Sequence, residues 1–180
     1  MNARLFLFYV GLGWLVLILE STLLNYMGAG VVHLDLLMAI TVRLGVGRYR
    51  NKGLMIVLIY VWLLGLFSGH GAETYVLAYP LVHEAVALAS ARFNLRGRWT
   101  QSTIVLIMSG CAESIREVLP ILFSDSMRLH FDADWVATHM VLSGVGAYMM
   151  FPMLRRAEAH FGLPQSPRAL RDPSGIHRQF

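Results

Sequence analysis

The chain has 180 residues, 56% of them hydrophobic and only 14% charged, with a mean hydropathy of +0.55. Its apolar residues form runs too long for the amphipathic helices of a water-soluble domain, which points to an integral membrane protein. The net charge of +4 comes from 15 Lys and Arg against 11 Asp and Glu, with the basic residues gathered mainly at the ends of the apolar runs. That placement implies membrane lipid as a contact and no nucleic-acid partner.

A hydrocarbon layer about 30 Å thick takes roughly 20 apolar residues in a helix, and only helices or closed barrels satisfy their backbone groups there. The runs are continuous and not alternating, so the expected fold is all-α, a polytopic bundle of about six transmembrane helices. The first run, Leu5 to Asn25, follows Arg4 as a signal peptide's would. It outruns a signal's apolar region and lacks a small-residue cleavage site, so it reads as a retained span.

Further spans are expected at Val31 to Gly47, Gly53 to Gly69, Tyr75 to Arg92, Thr103 to Phe123 and Trp135 to Leu154. The second is the weakest, because Asp35 and Arg43 shorten its apolar stretch and leave open whether it crosses fully. Basic residues favour cytoplasmic loops. With the N-terminus inside, Arg4, Arg48, Arg50, Lys52, Arg92, Arg96, Arg98, Arg155 and Arg156 fall on one side. The other side is acidic, with Glu73, Asp125, Asp132 and Asp134 against a single Arg128. Residues 1–154 are thus expected as the bundle, with both termini cytoplasmic. Residues 155–180 are expected as a mobile basic tail that touches anionic headgroups or a cytoplasmic partner.

The fifth run carries "GCAESIREVLP", residues 110 to 120. Glu113, Arg116 and Glu117 lie within about 100° of one another on a helix, with Ser109, Gly110 and Pro120 on the same side. An unpaired charge at bilayer depth costs roughly 2.5–3.5 kcal/mol at least, so this stripe is expected to face protein or water. Glu20 and Asp35 also fall toward the outer ends of their spans, which suggests a polar cluster joining spans one, two and five. Such a cluster could fasten helices, contact a partner or ligand, or move ions.

Glu84, in the middle of span four, reads as a buried polar group. His83 beside it diverges by about 100°, which argues against a shared metal site. His139 reads as an interfacial hydrogen-bonder. Cys111 is the only cysteine, so neither an intramolecular disulfide nor a cysteine-rich metal site is expected. No phosphate loop, HExxH or GxSxG stands in a plausible context, and the longest loop has about a dozen residues. Neither an enzyme nor a cofactor is expected.

The chain resembles the MreD family of the bacterial rod-shape machinery. The resemblance rests on "LESTLL" (19–24), "HLDLLMAITVRLGVGRYRNKG" (33–53) and "GLFSGHGAETYVLAYPLVHEAVALASARF" (65–93), with matching length and span count. Two positions depart from the family's pattern. His33 stands where proline is usual, and Gly65 stands where an aspartate commonly ends span three, leaving Asp35 as the acidic residue carried over from these elements. The resemblance implies a non-catalytic inner-membrane scaffold that associates with MreC, RodA, a penicillin-binding transpeptidase and MreB. It also implies a fold similar to the S subunits of energy-coupling-factor transporters. An S-type subunit that captures a vitamin-like nutrient is therefore the alternative, although span one lacks the alanine-rich docking stripe of that class. An ion-coupled transporter would use Glu84 and the span-five charges as a relay, but neither inverted repeats nor paired interrupted helices are visible. Self-association is not legible.

Overall fold

A computed structural model describes residues 3–26, 35–47, 50–68, 72–93, 95, 97–123 and 133–161, with the backbone alone for 23–26, 50, 67–68, 72–75 and 116–123. Six helices follow in order: α1 (Ala3–Tyr26), α2 (Leu36–Val46), α3 (Arg50–Ser68), α4 (Ala72–Arg92), α5 (Arg98–Phe123) and α6 (Ala133–His160). Among the described residues there is no strand. The fold is an all-helical bundle.

Two of the helices are long and apolar enough to cross a membrane: α1 over Ala3–Thr22, and α6 over Ala133–His160. Leu36–Val46 and Asn51–Leu66 are shorter apolar helices. The second segment is shorter than its sequence suggests, since eleven residues rise about 16 Å, roughly half a hydrocarbon layer. The sixth is longer. Its helix passes the expected boundary at Leu154 and continues through Arg155 to His160. Residues 162–180 lie outside the described ones.

The short α2 is the hub, packing against all five other helices. Leu37, Met38, Ala39, Ile40, Thr41 and Val42 are each at most 1% exposed. The face-by-face segregation of an amphipathic helix has no purpose in such a position, which is why α2 reads as apolar on every side. Around it, Ile56, Val57 and Tyr60 of α3, Val86 of α4, Val105 of α5 and Phe151 of α6 complete the core.

Close approach of α1 to α3 depends on Gly13. A Cβ there would lie 2.0 Å from Cε1 of Tyr60, whose ring is fully buried and whose hydroxyl donates to the Tyr9 carbonyl. Gly13→Ala is expected to destabilise the protein by about 1–3 kcal/mol, the range for overpacking a filled site. Gly11→Ala, at a position with no heavy atom within 4 Å, should change stability by no more than about 0.5 kcal/mol, as surface substitutions usually do. Unfolding in detergent followed by tryptophan fluorescence separates the two, and equal stability of both variants would contradict the packing described.

Several polar side chains are buried within the apolar core, and many large apolar ones face outward. Thr41, His83, Gln101, Ser109, Glu113, His139 and Ser143 are buried. Trp14, Leu15, Trp62, Leu66, Leu81, Leu88, Met149 and Met153 are each more than half exposed.

Candidate functional site

The polar interior is organised in two layers, one at each end of α2. At its N-terminus, Asp35 is the cap, and its Oδ1 accepts from the Met38 backbone N–H at 2.8 Å and from the Tyr79 hydroxyl at 2.8 Å. The Asp35 backbone N–H donates to Ser143 Oγ at 3.0 Å, and the Leu36 N–H donates to Glu20 Oε1 at 2.8 Å. A helix start inside a bundle leaves N–H groups without intrahelical partners. Here α1, α4 and α6 supply oxygens for them or for their cap. Carboxylates at this end also oppose the positive pole of the helix dipole.

Glu20 and Asp35, singled out in the sequence, both reach the start of α2, where they accept from the Leu36 and Met38 backbone N–H groups. The other members of the expected cluster are not shown to join them. Glu113 is 5% exposed on α5, but it belongs to a different level. A Cβ at Gly110 would touch Met140 and one at Gly144 would touch Leu106, so α5 and α6 run antiparallel with Ser143 level with Ile107. Glu113 is six residues further along α5, about 9 Å by helical rise, level with Ala137. Nearby, His139 is 3% exposed, and its ring stacks on Trp135 with 5.6 Å between centroids and 3° between planes. The backbone of Arg116 and Glu117 continues α5, and their side chains lie outside the described residues.

The Glu84 side chain is 29% exposed, whereas His83 is fully buried. Their side chains bend toward each other despite diverging Cα–Cβ bonds, with His83 Nδ1 3.4 Å from Glu84 Oε1. His83 occupies the space left by Gly53, where a Cβ would lie 2.7 Å from its Nε2. Among the described residues, no group of three or more His, Cys, Asp or Glu could hold a metal.

The second layer lies at the other end of α2, eight residues or about 12 Å from the first. Arg43 Nε donates to Glu158 Oε1 at 2.9 Å, and its Nη2 pairs with Glu158 Oε2. The Tyr9 hydroxyl also donates to Glu158 Oε1. The two charged side chains are only 18% and 16% exposed, and a forked guanidinium–carboxylate pair is among the stronger polar contacts available. The cation stands in the last turn of α2, where it complements the negative pole.

Tyr79, Ser143, Tyr9 and Glu158 were not anticipated as site residues. Tyrosine and serine in an apolar helix carry no signal of their own. Arg43 did carry one, since a charge inside a span needs a partner, and Glu158 is one of only two acidic residues after the sixth apolar run.

Chemically, these oxygens accept from backbone N–H groups, from hydroxyls and from a guanidinium. The arrangement joins α2 to α1, α4 and α6 at one end, and to α1 and α6 at the other. Comparison with protein-family models, with curated proteins and with solved structures gives no match.

Proposed function

We propose that the chain is a non-catalytic, multi-pass scaffold subunit of the bacterial inner membrane, of the MreD type, that binds MreC and helps to organise the cell-wall synthases. The observation that carries the proposal is the use the bundle makes of Asp35. The "HLDLLMAITVRLGVGRYRNKG" and "GLFSGHGAETYVLAYPLVHEAVALASARF" segments, on which the likeness to MreD rests, contain Asp35, Arg43 and Tyr79. These are the residues that cap α2, fix its far end and tie α4 to it.

Two further features support a membrane setting. Many large apolar side chains face outward, and several polar ones are buried within the apolar core, which suits a lipid solvent. The basic residues also segregate to one side when all six apolar segments cross, with both termini cytoplasmic. On this reading α2 is a short span enclosed by its neighbours, and the acidic groups serve helix assembly and partner contact.

Copurification from native membranes tests the proposal. Recovery of MreC with a glycosyltransferase of the cell-wall pathway is the expected result. Recovery of an ATPase module with a bound vitamin would instead establish the S-type capture subunit and overturn the scaffold.

A further inference from the structure

We propose that the end of α6, residues 153–161, is a hinged strap that closes over the last turn of α2, pivoting at Pro152 and latched at its tip by Glu158 and Phe161. The inference concerns a movement within the chain and does not depend on which partner the bundle has.

Pro152 stands inside α6. It has no N–H to give to the Tyr148 carbonyl, and its ring crowds that carbonyl, so the backbone ladder is interrupted there and the helix can bend. The two sides of the interruption are fastened to different parts of the bundle. On the near side, the Arg98 guanidinium carbon lies 3.7 Å from the centroid of the Tyr148 ring, and Trp99 packs on the same ring with 4.5 Å between centroids. These contacts tie α6 to α5 up to the proline. Gly144 is already close to α5, since a Cβ there would lie 3.1 Å from the Leu106 side chain.

On the far side α6 is held by α1 and α2 instead. Glu158 takes two donors from Arg43 and one from Tyr9. Phe161 rests on the Phe8 ring with 5.0 Å between centroids and 42° between planes. Its N–H donates to the Ala157 carbonyl at 3.0 Å, so it continues the helical path, and its three-residue spacing puts it on the same face as Glu158. Met153, Arg156, Ala159 and His160 are exposed, and Leu154 is buried beside the pivot.

Sequence and packing agree on a rod. Every residue from Met153 to Ala159 is a strong helix former, so the strap keeps its helix when it leaves its seat. The latch is one ion pair with partly exposed side chains and one ring pair whose Phe161 is 41% exposed, contacts that side-chain rotation releases without unfolding a helix. A rod joined through a bend and fastened at its tip has two discrete positions. Swung away, it leaves the Arg43 guanidinium and the Phe8 ring uncovered at the end of α2.

The test is a distance measurement by double electron–electron resonance on the full chain in detergent, with Cys111→Ser so that spin labels attach only at introduced cysteines. Labels at Met55 and Ala159, both exposed, report on the strap, and labels at Met55 and Met149 stop short of the proline. Glu158→Ala should widen the Met55–Ala159 distribution about twofold, because a rod of roughly 12 Å is freed at its tip, and leave Met55–Met149 unchanged. Adding Pro152→Ala, which returns an N–H to the Tyr148 carbonyl, should narrow the distribution again. Phe161→Ala should widen it in the same sense and to a smaller degree. If Glu158→Ala fails to fold, Phe161→Ala carries the proline comparison in its place, because it removes only a partly exposed ring. An unchanged Met55–Ala159 distribution would overturn the latch. Widening that persists with Pro152→Ala would mean fraying of the last turn, and widening between Met55 and Met149 would mean a loosened bundle; either result overturns the strap.

Discussion

Replacing Glu158 by alanine is expected to lower the unfolding free energy of the detergent-solubilised protein by about 3 kcal/mol, the low end of the range for removing one partner of a buried ion pair. The variant leaves the Arg43 guanidinium, 18% exposed, without the carboxylate that receives two of its donors, and it also takes away the acceptor of the Tyr9 hydroxyl. Glu158→Gln should cost less, because an amide oxygen still accepts from one of them. Removing both charges with Arg43→Met and Glu158→Leu should restore much of the loss, since a well-packed apolar pair of similar volume often replaces a buried ion pair at little cost. Denaturant unfolding followed by tryptophan fluorescence measures all three. Wild-type stability in Glu158→Ala would mean that α6 ends, in energetic terms, at Leu154.

The second large effect is expected at Asp35. Asp35→Ala removes the cap of α2, worth about 1 kcal/mol, and leaves the Tyr79 hydroxyl without its acceptor, worth about 1–3 kcal/mol when buried. Together the loss is about 2–4 kcal/mol. Asp35→Asn should retain most of the stability, because asparagine caps as well as aspartate and its carbonyl oxygen can accept from Tyr79. Tyr79→Phe combined with Asp35→Ala should cost less than the sum of the two single losses, because both remove the same hydrogen bond. If the double variant loses stability additively, the hydrogen bond at 2.8 Å does not contribute as described. Copurification of MreC, the partner proposed above, with each variant that folds tests whether this layer also affects partner assembly.

Much of the architecture was legible before any coordinates. Six apolar runs give six helices in the expected order, because long apolar stretches bounded by Gly, Pro and basic residues leave few alternatives. The sequence suggests one polar cluster of spans one, two and five; in the structure Glu20 and Asp35 each accept from a backbone N–H at the start of α2. The limits came from smoothing. Hydropathy falls at Arg155, so the sixth helix was expected to stop at Leu154, yet Ala157 and the Arg43–Glu158 pair carry it to His160. At Glu84 the ionisable group was weighed above its neighbour. Burial chose His83, because Gly53 leaves room for an imidazole there. Tyr79 and Ser143 illustrate a different limit, since nothing in a single sequence marks which hydroxyl among many will find a helix terminus 44 or 108 residues away.

The enclosure of α2 has a consequence for biogenesis. On the membrane reading proposed above, eleven residues with an arginine among them make a poor candidate for independent partitioning from the translocon into lipid. The groups that satisfy its two ends, Ser143 and Glu158, are synthesised last. If all six segments enter the bilayer as proposed, this one has to wait, sheltered by α1 and α3 or by the insertion machinery, until the final helix emerges. A polypeptide truncated before that point would carry an unsatisfied arginine and an unfinished helix start inside the bilayer, the kind of lesion that membrane proteases recognise.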